Sequence, residues 1–381
     1  MPVHLSPEQL ARDLSLRDLT DPAEGPHAMQ HLVLDAVAAL SSTWPVLVRW
    51  SPGPRVVPIE DNYDNLLINP AAVSRDARYT RYVDDCLMLR SHSSAMVPPA
   101  LRALAAMDGT GDYLLVCPGM VYRRDAIDWQ HTGTPHQLDL WRITRAPMTG
   151  ADLDQMVARL AAALAPGRAY RVEPRSHPYT LDGAQVDVAT DSGWMEVWEC
   201  GLAHPEVLAR AGLAGWSGLA LGMGLDRLLM LRKGIPDIRL MRVSDRRVAS
   251  QMQDLAPYRP VSSMPAVRRD LSIAVEGDDD AETLGDRVRD ALGADADAVE
   301  EVAVLSSTDY AEVPEAARSR LGMVPGQRNL LVSVVLRHLG RTLTAEEANG
   351  LRDRVYAALH RGGVHQWATG APPQPAPAVP G

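Results

Sequence analysis

The chain has no phenylalanine, although it keeps 8 tryptophans and 10 tyrosines among its 381 residues. Large rings have not been given up; one residue type has. Lysine is nearly as scarce, since Lys233 stands alone against many arginines, a bias that speaks more of composition than of chemistry. The three cysteines, Cys86, Cys117 and Cys200, are odd in number, far apart and set in apolar sequence. That excludes a disulfide framework and a cysteine-built zinc site, and predicts buried free thiols in a reducing compartment. No metal-ligand spacing and no internal repeat is present. No apolar run is long enough for a membrane span. The first residues, Met1-Pro-Val-His-Leu-Ser-Pro-Glu-Gln9, carry an acid and no apolar core, so neither a signal nor a transit peptide is expected and the cytoplasm is the expected location. A basic excess is missing too. The net charge of -10 gives no general attraction for nucleic acid, so any such contact must rest on local arginines.

Hydrophobic residues at 46% and charged residues at 23% describe a globular chain of two or three domains. Leu10 and Leu14, and then Met29, Leu32, Val33, Val37 and Leu40, have helical spacing, with Pro22 and Gly25-Pro26 between the two segments. Short strands are predicted at 46–48 and 56–59, and a helix over 98–107. The apolar run Tyr113-Leu-Leu-Val-Cys117 and the alternating His136-Gln-Leu-Asp-Leu-Trp-Arg142 read as an antiparallel pair that holds a charged loop with Arg124, Asp125, Asp128 and His131. An amphipathic helix follows over 151–164, started by Thr149 or Asp152 and stopped at Pro166-Gly167. Strands are predicted at 170–173, 186–188 and 194–200. The glycines of Gly218-Leu-Ala-Leu-Gly-Met-Gly224 end an apolar strand and open a helix with Arg227 in its first turns. Beyond Tyr258 the order strand (271–275), helix (281–292), strands (302–305 and 330–336), helix (344–359) is ferredoxin-like. The proline-rich end from Pro372 is expected to be disordered.

The pattern V-Y-R-R-D-x-I-D-x-x-H from Val121 to His131, with His136-Gln137 beyond it, resembles motif 2 of class II aminoacyl-tRNA synthetases, specifically the single-chain, organellar type of phenylalanyl-tRNA synthetase. Gly218 to Arg227 resembles motif 3, and Gly234-Ile-Pro-Asp-Ile-Arg239 resembles a continuation peculiar to the phenylalanine branch. Leu89-Arg-Ser-His-Ser-Ser-Ala95, Trp194-Met-Glu-Val-Trp-Glu-Cys-Gly201 and Pro265 to Ser272 resemble further family segments in the expected order. The resemblance implies an α+β fold: a class II antiparallel sheet flanked by helices over 1–257, a ferredoxin-like anticodon-binding domain over 258–370 and a tail over 371–381. It also implies ATP and Mg2+ as cofactors, tRNA and a free amino acid as partners, and a monomer.

The roles come with it. Arg123 would hold the α-phosphate and the substrate carboxylate, and Arg227 the γ-phosphate and the adenine face. Asp125 would lie near the adenine, His131 at the pyrophosphate end, and Glu196 on magnesium. His92, Ser94, Gln137, Asp139, His177, Tyr179, Glu199 and Ala220 would line the amino-acid site. Read singly, each has a plainer explanation: a surface ion pair, a structural acid or a satisfied core histidine. The departures from the family pattern gather in the amino-acid site. Asp139 replaces a glutamate, His177 and Tyr179 replace two clasping phenylalanines, and Glu199 replaces a glycine, while Ala220 is kept. Such a pocket is expected to prefer an amino acid more polar than phenylalanine. Pro135, Leu219, Leu221, Met241 and Val248 also stand where the family carries phenylalanine. A chain free of that residue can be made when phenylalanyl-tRNA is scarce or mischarged, so a resistant or specialised paralogue is one expectation. An adenylating enzyme serving a biosynthetic acceptor, and a silent tRNA-binding regulator, are the alternatives.

Overall fold

The structure, a computed structural model, describes residues 4–76, 79–107, 111–260 and 264–365. The described residues fall into two compact units, and the division is not a single cut: residues up to Arg123 and from Thr132 to Pro260 form one, while Arg124–His131 joins the residues from Met264 onward.

In the first unit, helices α1 (Pro7–Ser15) and α2 (Ala28–Ser41) lead into strands β1 (Leu47–Trp50) and β2 (Val56–Pro58), the one-turn helix α3 (Ile59–Asn62), β3 (Leu87–Leu89) and α4 (Val97–Ala105). The strand pair foreseen around the charged loop is β4 (Tyr113–Met120) and β5 (His136–Thr144), antiparallel with Met120 opposite His136. Helix α5 (Gly150–Leu164) starts where Asp152 Oδ2 accepts both the backbone N–H (2.8 Å) and the hydroxyl (2.7 Å) of Thr149, so both candidate starters act together. Strands β6 (Tyr170–Pro174), β7 (Thr180–Thr190) and β8 (Gly193–Ala203), helix α6 (Pro205–Arg210), strand β9 (Ser217–Gly224) and helices α7 (Leu225–Lys233) and α8 (Arg246–Ala249) complete the unit. β7 and β8 run well past the apolar runs at 186–188 and 194–200, because a tight turn lets backbone pairing continue into polar, exposed sequence that has no hydrophobic signature.

Seven strands form one sheet in the order β1-β4-β5-β9-β8-β7-β6, with β1 parallel to β4 and the other neighbours antiparallel. Tyr113, Leu115, Cys117, Trp141 and Ala220 share a core with residues of α4 and α6. The alternate residues Leu219, Leu221 and Met223 of β9 are buried on the other side. The lone lysine is buried as well: Lys233 Nζ donates to the carbonyls of Asp254 (2.7 Å) and Ala256 (2.6 Å), tying the chain that follows α7 back to its end. Cys117 and Cys200 are buried as expected, but Cys86 is exposed. It sits in a turn where Asp84 Oδ1 accepts the N–H of Cys86 and of Leu87, which puts the thiol outside the core despite apolar neighbours in sequence.

The second unit contains β10 (Val267–Val275), α9 (Ala281–Leu292), β11 (Val299–Asp309), α10 (Glu315–Leu321), β12 (Arg328–Leu336) and α11 (Ala345–Leu359). The sheet order β10-β12-β11, covered by α9 and α11, has the expected ferredoxin-like connectivity. Helix α10 gave no sequence signal, since only Leu321 of its seven residues is buried. The loop Arg124–His131 is built into this unit. Ile127 enters its core, Ile127 O accepts from Val302 N (2.8 Å), and Arg289 donates to the carbonyls of Asp125 (2.6 Å) and Ala126 (2.7 Å). A Cβ at Gly285 would come within 2.6 Å of Asp125 O, so glycine there lets the loop lie against α9. The tail expected over 371–381 lies outside the described residues.

Candidate active site

Strand β9 alternates small and large residues. Because successive strand residues point to opposite faces, Gly218, Ala220, Gly222 and Gly224 share one face while Leu219, Leu221 and Met223 share the other. The small face is a trough floor. Its walls come from the neighbouring strands, in register: Gln137 lies beside Gly224, Asp139 and Glu199 flank Gly222 from either side, and Trp141 and Gly201 flank Ala220. Gly218 and Ala220 are buried, and Gly222 and Gly224 are half-buried, so the trough opens toward Gly224.

At that open end β9 passes into α7, placing Arg227 in the first turn. The same end of β5 is anchored by the residue before Arg227. Asp226 accepts the backbone N–H of His136 and, at 3.1 Å, its Nδ1–H, while His136 Nε2 accepts from Leu19 N (3.1 Å) and Arg242 Nη2 (3.1 Å), an arrangement that requires the proton on Nδ1. The start of β5 is thereby stapled to the start of α7, the helix that carries Arg227. Arg123 is held by a hydrogen bond from Nε to Ser91 O (2.8 Å). Its charge adds to the burial that pushes the His92 pKa down to about 4 and keeps that imidazole neutral. It also helps to hold the Glu199 carboxyl down, so these three groups share one site.

Asp139 forms the inner wall. Burial pushes its pKa up to about 6 against the hydrogen bonds that Ser93 Oγ, Trp141 Nε1 (3.1 Å) and Ser94 donate to it. Gln137 Oε1 accepts from Ser93 N (3.1 Å). Ser93 and Trp141 were not singled out in the sequence. Ser93 was hidden by its twin at 94, and Trp141 reads as core; only its place two residues after Asp139 on the same strand hinted that it faces the trough. Opposite, Glu199 is half-buried, with His177 Nε2 at 3.1 Å from Oε1 and Arg175 Nε at 3.9 Å. The nearness of His177, then Arg175 and Arg123, holds the Glu199 carboxyl below the usual range. His177 Nε2 is buried and, despite that distance, not aligned for a hydrogen bond with Glu199. Rings of His177, Tyr179 and Trp141 stack in sequence, at 5.9 Å and 6.1 Å between centroids. Gln137, Asp139, His177, Tyr179, Glu199 and Ala220 thus converge on one trough, while the His92 ring lies against Tyr63 (6.4 Å between centroids).

Glu196 is exposed on β8. Trp198 pairs with Met223, so Glu196 is two residues further toward the end of the sheet where Arg227 stands. Among the described residues no three acids, histidines or cysteines converge to build a metal site. A single carboxylate would fit magnesium, which binds through one or two carboxylates together with substrate phosphates. Asp125 and His131 belong to the loop held in the second unit, where His131 Nδ1 meets Asp128 Oδ2 at 2.6 Å.

Residues 49–252 match the class II core domain of tRNA synthetases, type F. A phenylalanine–tRNA ligase alpha subunit from Prochlorococcus marinus (strain MIT 9313) is 33% identical over 61% of this chain and 69% of its own. A Drosophila melanogaster protein named as a probable mitochondrial phenylalanine–tRNA ligase is 28% identical over 80% of this chain and 75% of its own. Another alpha subunit, from Fusobacterium nucleatum, is 32% identical, and the chain spans 62% of it.

Proposed function

The chain belongs to the class II aminoacyl-tRNA synthetases, in the phenylalanyl-tRNA synthetase family, and from that membership we propose that it adenylates an amino acid with ATP and transfers it to tRNA. The observation that carries this reading is a glycine-floored trough with an arginine at each of two places along it: Arg123, whose charge reaches Glu199 on its wall, and Arg227 in the first turn of the helix that leaves its open end. In adenylation a carboxylate oxygen attacks the α-phosphorus while the bond to pyrophosphate breaks. Two anions must meet, so the protein's task is neutralisation and alignment rather than covalent catalysis. Arg123 bridges the carboxylate and the α-phosphate, Arg227 steadies the far phosphates, and Asp139 with Gln137 orients the ammonium. Glu196 would help to hold magnesium, which would supply further positive charge when bound. The tRNA hydroxyl then displaces AMP, with the ferredoxin-like unit as the tRNA-binding element.

The amino acid is a polar relative of phenylalanine rather than phenylalanine itself, because His177, Tyr179 and Glu199 stand where an apolar clasp would. The phenylalanine-free chain acts as a specialised or resistant paralogue that remains translatable when phenylalanyl-tRNA is scarce. Pyrophosphate exchange run beside tRNA charging tests the reading. Both activities are expected; exchange without charging points to a biosynthetic acceptor, and neither points to a silent regulator. Expression in a host whose own phenylalanyl-tRNA synthetase is blocked tests the paralogue idea, which fails if synthesis of this protein stops with that of phenylalanine-containing proteins.

A further inference from the structure

Glu199 and Asp139 occupy the same cross-strand row, on either side of Gly222. The next row, Trp141, Ala220 and Gly201, lies about 7 Å deeper, two residues along the strands. If Asp139 receives the α-ammonium, whatever Glu199 touches is level with the Cα–Cβ portion of the substrate and not with the tip of its side chain. The deeper row offers a ring-tip hydroxyl little: Trp141 Nε1 already donates to Asp139, and Ala220 has no polar group.

The chemistry at Glu199 is equally specific. Its ionised carboxylate only accepts hydrogen bonds. His177 is 8% exposed, its Nε2 has no hydrogen-bond partner although it stands 3.1 Å from Glu199 Oε1, and its Nδ1 lies 3.4 Å from Thr180 Oγ1. With the Thr180 hydroxyl donating to Nδ1, Nε2 carries the proton and is a buried donor awaiting an acceptor. A group that donates to Glu199 and accepts from His177 at once satisfies both, and a hydroxyl does this where an ammonium, which only donates, cannot.

We propose that the His177–Glu199 pair selects an aromatic amino acid carrying a hydroxyl on its β-carbon. The proposal rests on the synthetase reading and names its substrate class.

The test is pyrophosphate exchange by the full chain with phenylalanine, tyrosine, phenylserine (β-hydroxyphenylalanine) and the β-amino analogue, repeated with Glu199→Gly and Glu199→Gln. Phenylserine is expected to exceed phenylalanine in kcat/KM by about a hundredfold or more, as for sites built to hydrogen-bond a substrate hydroxyl. Both variants are expected to cut that ratio by roughly tenfold or more, and circular dichroism melting of the near-isosteric Gln variant separates loss of recognition from loss of fold. A highest kcat/KM for phenylalanine, tyrosine or the β-amino analogue, or a ratio unmoved in a folded Gln variant, overturns the proposal while leaving the synthetase reading intact. Absence of exchange with every amino acid overturns both.

Discussion

The trough along β9 has two ends built on different rules. At the open end stand Gln137 and Arg227, and these, with Arg123 whose charge reaches Glu199, belong to the segments on which the family resemblance rests. Further in, Asp139, His177, Tyr179 and Glu199 all depart from it, though they share the same strands and the same glycine floor. The contrast has a chemical cause. Every amino acid presents the same carboxylate to the same triphosphate, so the charge-neutralising end has one solution, whereas the inner end answers to the one part of the substrate that varies. Polar groups placed there are costly unless the ligand pairs with them, which is why the substrate we propose is one that does.

The largest effect that could break this comparison is at the two arginines. Arg123→Ala and Arg227→Ala are each expected to slow amino-acid-dependent pyrophosphate exchange by about 10²- to 10³-fold, the usual loss when one charge-stabilising donor is removed. A loss below about tenfold in both would remove the distinction between the two ends.

Asp139 sharpens it next, through pH. Its carboxyl is held near 6 in the folded protein by burial, against an ordinary 3.8. The folded state therefore holds a proton that the unfolded chain releases, and this contribution to stability is full below pH 4 and lost as pH rises through 6. Relative to Asp139→Asn, the wild type should lose about 3 kcal/mol between pH 4 and pH 7, measured by urea unfolding without substrate. The KM for the amino acid should fall across the same window as the carboxylate forms, and Asp139→Asn should abolish that dependence. A constant difference across the window would mean that Asp139 is ionised throughout.

The inner clasp gives a smaller change. His177→Phe with Tyr179→Phe is expected to raise kcat/KM for phenylalanine by roughly tenfold, as an apolar site would; no change would make the polar clasp incidental. Smallest, and outside both ends, Lys233→Met should cost about 1 to 3 kcal/mol of stability by orphaning the carbonyls of Asp254 and Ala256, with little effect on substrate preference. A shift in preference there would couple the inner end to the packing behind α7.

Residues alone determined a good deal: the helices at α2 and α5 from apolar spacing, the β4–β5 pair, the strand-to-helix passage at Gly224, and, α10 apart, the β-α-β-β-α order of the second unit. Such features rest on local periodicity and turn chemistry, which a single chain displays. The candidate residues came from resemblance, and what they have in common in space did not. Three groups on β5, β8 and the approach to β7 meet only because β9 inserts between β5 and β8, and no sequence pattern carries strand order. The same holds for Asp139's partners Ser93 and Trp141, for His177 Nε2 left without a partner, and for the loop Arg124–His131, whose Ile127 is buried in the core of the second unit. Register and burial are properties of the assembled sheet, since a hydrogen bond between residues 46 positions apart, like that from Ser93 to Asp139, exists only once the strands between them are paired.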